Sequence, residues 1–127
     1  MKRKLVPASR VLLLIAAVVV GRPFLRAEEK VAEVTLEGTV VDMHCFVTHG
    51  VHDATHTACA NACIERGVPA GFLAKDGTLY LLFAQEPFSV KDQVKNLADV
   101  PIRLTGTLVE RNGVSGIQIK SIEKARS

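Results

Sequence analysis

Apolar and polar positions alternate in several short segments of this chain. Residues 31–42 alternate over much of their length and are rich in β-branched side chains, which predicts a long first strand. Gly38 lies inside this segment and predicts a bend or a bulge, since glycine weakens a regular strand. Residues 31–42 are therefore the first strand that the sequence predicts.

Four further apolar segments occur in two pairs, and each pair is joined by a turn motif that favours a hairpin, Asp-Gly in the first and Asn-Gly in the second. Between the two pairs, Ser89 is a suitable cap for a short helix. The four predicted strands are residues 71–74, 78–84, 100–110 and 114–122.

Five strands with a helix between the third and the fourth is the arrangement of the OB-fold, a small Greek-key barrel. We therefore predict a mainly β protein with a five-stranded OB-like barrel. A Cys/His-bearing helix is expected between strands 1 and 2, and a short helix between strands 3 and 4. The last hairpin, residues 100–122, resembles that of small exported bacterial OB-fold proteins.

The N-terminal segment differs from the rest of the chain. Residues 1–27 contain six Lys or Arg and no Asp or Glu, and they enclose the apolar residues 11–20. About ten apolar residues are too few to cross a hydrocarbon core of ~30 Å as a helix, so we predict a signal peptide that is cleaved near Ala27, with an uncleaved N-terminal anchor as the alternative. Residues 28–127 are then a single OB-like domain, exported to the periplasm or the cell exterior.

Removing this leader reverses the sign of the charge. The chain has 16 basic and 13 acidic residues, and six of the basic ones belong to residues 1–27, so the remainder is net acidic. A nucleic-acid partner is not expected, because a nucleic-acid binder carries a basic surface. Contact with a membrane is expected only through an uncleaved N-terminal segment. The expected partners are a metal ion and another exported or membrane protein.

All three cysteines and all four histidines of the chain lie between His44 and Cys63, inside a predicted insertion of residues 44–66. Residues 52–66 suit a helix that ends at Gly67, with Asp53 or Thr55 as its cap. One face of this helix would carry four side chains of the metal-ligating type. They are His52, His56, Cys59 and Cys63.

The first and last of these four side chains are ~16 Å apart along a helix axis, too far to share one ion. A neighbouring pair or triple can converge, and Cys45 at the end of the first strand can complete the set. Asp42, also at the strand end, either orients a histidine or simply ends the strand.

The chain resembles a group of short exported bacterial proteins. They share a strand end like Gly38-Thr39-Val40-Val41-Asp42-Met43-His44-Cys45, a segment like His56-Thr57-Ala58-Cys59-Ala60-Asn61-Ala62-Cys63, and a turn like Gly67-Val68-Pro69. The resemblance supports the OB-like architecture and implies no established activity. It singles out Cys45, His56, Cys59 and Cys63.

Three interpretations of the cluster compete, and the first is favoured. It is a Zn or Cu site of Cys45, His56, Cys59 and Cys63, because thiolate and imidazole are the ligands these ions prefer. Additional ligands in this interpretation are His44 and His52.

The second interpretation is a structural disulfide in a non-enzymatic binding module. Cys45 would pair with Cys59 or Cys63, which stabilises the fold by ~3 kcal/mol and leaves one odd cysteine. The third is thiol redox chemistry, which the Cys-x-x-x-Cys spacing disfavours, because thioredoxin-like sites use Cys-x-x-Cys. No catalytic residues are identified, since no Ser-His-Asp order or phosphate-binding glycine loop occurs, so a binding protein is favoured over an enzyme.

Overall fold

The computed structural model describes residues 29–125, so the predicted signal peptide of residues 1–27 lies outside it. These residues form a closed five-stranded barrel with the strand order β1-β2-β3-β5-β4 and three short helices. The strands are β1 (Lys30–Asp42), β2 (Ala70–Ala74), β3 (Leu79–Phe83), β4 (Pro101–Arg111) and β5 (Val114–Lys124). The helices are α1 (Met43–His49), α2 (Thr57–Glu65) and α3 (Val90–Gln93).

The long first strand closes the barrel because it pairs with two neighbours. Its first part, from Lys30 to Thr39, runs antiparallel to β4, and its last part, from Gly38 to Asp42, runs antiparallel to β2. The two pairings overlap at Gly38 and Thr39. A Cβ at Gly38 would lie 2.1 Å from the carbonyl oxygen of Leu73, so this close approach of β1 and β2 requires glycine. Strands β3 and β5 pair in parallel and complete the barrel.

The predicted strands and hairpins agree with the structure to within one or two residues. Both residues of the predicted Asn-Gly turn have positive φ, 52° at Asn112 and 81° at Gly113, as a tight two-residue hairpin turn requires. The prediction of a mainly β, five-stranded protein is confirmed.

The helices differ from the prediction. Helix α1, directly after β1, was not expected, and α2 begins at Thr57, not at His52. His56 is the residue before α2, so neither Asp53 nor Thr55 is its cap. Residues 53–55 instead form a separate turn, in which the carboxylate of Asp53 accepts hydrogen bonds from the amide and hydroxyl of Thr55. The predicted single stripe of ligands from His52 to Cys63 is therefore wrong.

The barrel interior is filled by apolar side chains from every strand. Helix α2 adds only Ala60 and Ile64 to this core, and α1 contributes no buried residue. Among residues 29–125, no helix has the length and apolar character that a membrane crossing needs. The two helices after β1 are thus held on the end of the barrel by few apolar contacts.

Candidate metal centre

The end of β1 supplies the first polar group of the site. The two residues before Asp42, Val40 and Val41, are fully buried, and Asp42 itself is 1 % exposed. Its Oδ1 accepts a hydrogen bond of 2.9 Å from the backbone amide of Cys45, so Asp42 is the N-cap of α1. This cap turns the chain sharply after β1 and places Cys45 in the first turn of α1, next to Asp42.

The start of α2 brings His56 to the same place. Its Nε2 lies 3.7 Å from Oδ2 of Asp42, and its Nδ1 lies 3.3 Å from Oδ2 of Asp99. The side chains of His56, Asp42 and Asp99 are 11 %, 0 % and 1 % exposed, respectively. The imidazole is therefore buried between two carboxyl groups that come from distant parts of the chain.

Asp99 reaches the site because its backbone is fixed on β1. The amide of Asp99 donates to the carbonyl oxygen of Val40 at 2.8 Å, and Ala98 forms a parallel bridge with Val40. The side chain of Asn61 on α2 accepts a hydrogen bond from the amide of Ala98 at 3.2 Å. Asp99 has a positive φ of 57°, which Asp tolerates better than most residues. The segment before β4 thus connects α2 to the barrel.

The three cysteines converge. The Sγ atoms of Cys45, Cys59 and Cys63 all lie within 4.8 Å of one another, although Cys45 belongs to α1 and the other two belong to α2. Cys59 and Cys63 are four residues apart, so they lie on adjacent turns of one helix face. Cys59 is exposed and the other two are partly buried. Such a group of thiols can bind a thiophilic metal ion from three sides.

A second group of ligand-type atoms adjoins the first. The side chains of Asp42, Cys45 and His56 each offer one atom, and these atoms also lie within 4.8 Å of one another. Cys45 belongs to both groups. Of the four residues singled out by sequence, Cys45 lies near the other two cysteines and near His56, but the four do not form one group.

The protein surroundings favour the protonated form of two of the thiols, those of Cys45 and Cys59. Desolvation raises the pKa of the Cys45 thiol to about 11, and the nearby Asp42 carboxyl and the other two thiols add to the shift. The pKa of Cys59 is raised chiefly by the charge of Cys63. The Arg66 guanidinium opposes this shift at Cys59, and its Nη2 lies 3.8 Å from Sγ of Cys63. A metal ion must therefore displace protons from these thiols.

Two predicted additional ligands lie elsewhere. The ring of His44 packs against His49 with centroids 6.1 Å apart, and the ring of His52 packs against Phe46 at 5.4 Å. Both are exposed, and neither belongs to a ligand group in residues 29–125. All three cysteines are free thiols, so neither of the alternative disulfides from Cys45 is present.

Sequence reasoning gave too little weight to two acidic residues. Asp42 was interpreted as either a strand terminator or a partner of a histidine, and it both caps α1 and lies beside His56. An Asp directly before the first helical residue is a helix-start signal, and Asp42 directly precedes Met43, the first residue of α1. Asp99 does not stand out in the sequence, because no local pattern connects it to His56, 43 residues away.

Comparisons of the chain with protein-family models, with curated proteins and with solved structures found no significant match.

Proposed function

We propose that this protein is a small exported metal-binding protein whose three cysteines bind a thiophilic ion, Zn²⁺ or Cu(I). The single observation that carries the proposal is the convergence of Cys45, Cys59 and Cys63 within 4.8 Å. Three thiols that meet without forming a disulfide are the donor set that soft and borderline ions prefer.

The position of the thiols supports binding over a purely structural role. Cys59 is exposed, so an ion has access to the site from solvent. The other two thiols are partly buried beside the end of β1, which limits the water that competes for the ion. Arg66 next to Cys63 offsets part of the negative charge that three thiolates would create. His56 lies next to Cys45 and extends the donor set.

The remaining parts of the proposal concern the scaffold and the compartment. An OB-like identity for the barrel is supported by the first strand shared between β2 and β4, by the parallel pairing of β3 with β5, and by α3 between β3 and β4. Export is supported by the basic and apolar character of residues 1–27. Another exported or membrane protein is the proposed macromolecular partner, as a donor or acceptor of the ion.

The test is metal analysis with thiol counting. We expect protein purified without air from the compartment where it resides to contain stoichiometric Zn or Cu, and the reduced apoprotein to bind either ion with a Kd far below micromolar, as thiolate-rich sites do. Replacing Cys59 with Ser should weaken this binding strongly. Failure of the reduced protein to retain any metal would end the proposal.

The disulfide-stapled module is the alternative proposal. It predicts one free thiol under denaturing alkylation and a mass two units below that of the reduced chain.

A further inference from the structure

Two buried atoms face each other beside the three thiols, and neither has a hydrogen-bond partner. They are Oδ2 of Asp42 and Nε2 of His56, and they lie 3.7 Å apart. The Asp42 side chain is 0 % exposed, so water does not solvate its unpartnered oxygen. An unpartnered carboxylate oxygen in the interior is costly. The space between Asp42 and His56 is therefore suited to a positively charged occupant.

The distance between these two atoms fits a metal ion better than a direct hydrogen bond. An N–H···O hydrogen bond spans ~2.7–3.2 Å, which is shorter than the observed separation. Zn²⁺ binds imidazole nitrogen and carboxylate oxygen with bonds of ~2.0–2.2 Å, and two such bonds at a tetrahedral angle hold their ligand atoms about 3.4 Å apart. A small side-chain adjustment brings Asp42 and His56 to that geometry.

The other side of the imidazole determines which nitrogen is available. Nδ1 of His56 lies 3.3 Å from Oδ2 of Asp99 and can donate its proton to that carboxylate. In this tautomer Nε2 carries a lone pair and lies 3.7 Å from Oδ2 of Asp42. A lone pair and a carboxylate repel each other unless a cation lies between them. An imidazole held by a carboxylate in this way is the usual arrangement of a metal-binding histidine.

Charge balance also favours more than one ion. With an ion bound, the three cysteines are thiolates, and Asp42 and Asp99 add two carboxylates. Arg66 is the guanidinium in contact with the thiols, at Cys63. A single divalent ion and Arg66 together leave two of these five negative charges uncompensated, and the two carboxylates are buried. A second divalent ion between Asp42 and His56 compensates these two charges.

We infer that the centre holds a second Zn²⁺ in a subsite formed by Asp42, Cys45 and His56. The thiolate of Cys45 bridges this ion to the ion bound by the three cysteines, because Cys45 belongs to both ligand groups. Asp99 is a positioning residue that holds His56 in the binding tautomer. This inference rests on the proposed metal-binding function and extends it to a two-ion centre.

The experiment counts zinc ions on the anaerobically reduced protein by native mass spectrometry during titration with Zn²⁺. We expect two ions on the unmodified protein and one on Asp42→Asn. The asparagine keeps an oxygen that can cap α1, so this variant removes the charge while preserving the local fold. His56→Ala should also bind one ion. Asp53→Asn is the matched control, because Asp53 is an exposed acidic residue of the same segment outside both ligand groups, and it should bind two.

The outcomes separate this inference from the proposed function. One zinc on the unmodified protein at saturation overturns the second subsite and leaves the three-cysteine site intact. No zinc at all also overturns the subsite, and binding of neither Zn²⁺ nor Cu(I) overturns the proposed function as well. Two ions on the unmodified protein and still two on Asp42→Asn also overturn the subsite. Circular dichroism establishes that each variant is folded, and if Asp42→Asn does not fold, the count on His56→Ala decides.

Discussion

The four histidines of the cluster have very different surroundings, and this difference leads to a prediction at the scale of single residues. His56 is 11 % exposed between two carboxyl groups, whereas His49 is exposed in the last turn of α1. We expect His56→Ala to weaken Zn²⁺ binding by roughly 10-fold or more, because it removes a ligand-type nitrogen that is already oriented. His49→Ala should change the affinity little. Competition with a chromophoric chelator measures both, and equal effects would show that His56 is the wrong ligand.

The residues of the site differ in how readily the sequence predicts them. Cys45, Cys59 and Cys63 stand out because cysteine is rare here and confined to one segment. Their convergence depends on the turn after β1, which the cap by Asp42 produces. The role of Asp99 depends on the pairing of its own segment with β1, a contact that no local pattern encodes.

At the scale of elements, strands were easier to predict than helices. Alternation and turn motifs are local signals, so the five strands follow from sequence nearly residue by residue. Helix α1 has no buried residue and α2 has two, so neither has the apolar periodicity by which a helix is recognised. The helix predicted from His52 rested on cap and stop signals, and the turn formed by Asp53 and Thr55 interrupts it.

The weak packing of α1 and α2 leads to a prediction about the whole insertion, residues 44–66. With so few apolar contacts, these residues need an ion or a cross-link to hold them on the barrel. We expect a chelator, without any reductant, to reduce hydrogen-exchange protection in residues 44–66, and added metal to restore it.

The hairpin of β4 and β5 is the internal control for this experiment, and its protection should not change. The disulfide alternative gives the opposite pattern. Only a reductant would then reduce the hydrogen-exchange protection of residues 44–66. Cys45→Ser would destabilise the fold by ~2–4 kcal/mol with or without metal. Protection that responds to neither reagent would contradict both interpretations.

At the scale of the whole molecule, one ionic network connects three parts of the barrel far from the cysteines. Glu37 on β1 lies 2.5 Å from Nζ of Lys75, in the turn between β2 and β3, and 2.8 Å from Nη2 of Arg103 on β4. The hydrogen bond from Lys75, followed by that from Arg103, lowers the pKa of Glu37 from 4.5 to about 2. The network therefore makes the stability of the barrel depend on pH.

The sign of this dependence follows from the lowered pKa. Because folded Glu37 holds its proton less tightly than the unfolded chain does, its contribution is complete above pH 4.5 and is lost as the pH falls toward 2. We expect Glu37→Gln to be less stable than the unmodified protein at neutral pH, and the gap between them to close across this range. Denaturant unfolding at a series of pH values measures this difference in stability, and salt should reduce it, since the network is partly exposed.

Glu65→Gln is the control. It makes the same charge change at an exposed residue of α2 that forms no ion pair within residues 29–125. Its effect on stability should not shrink as the pH falls in the way expected for Glu37→Gln. A gap for Glu37→Gln that stays constant down to pH 2 would show that the network does not couple to folding.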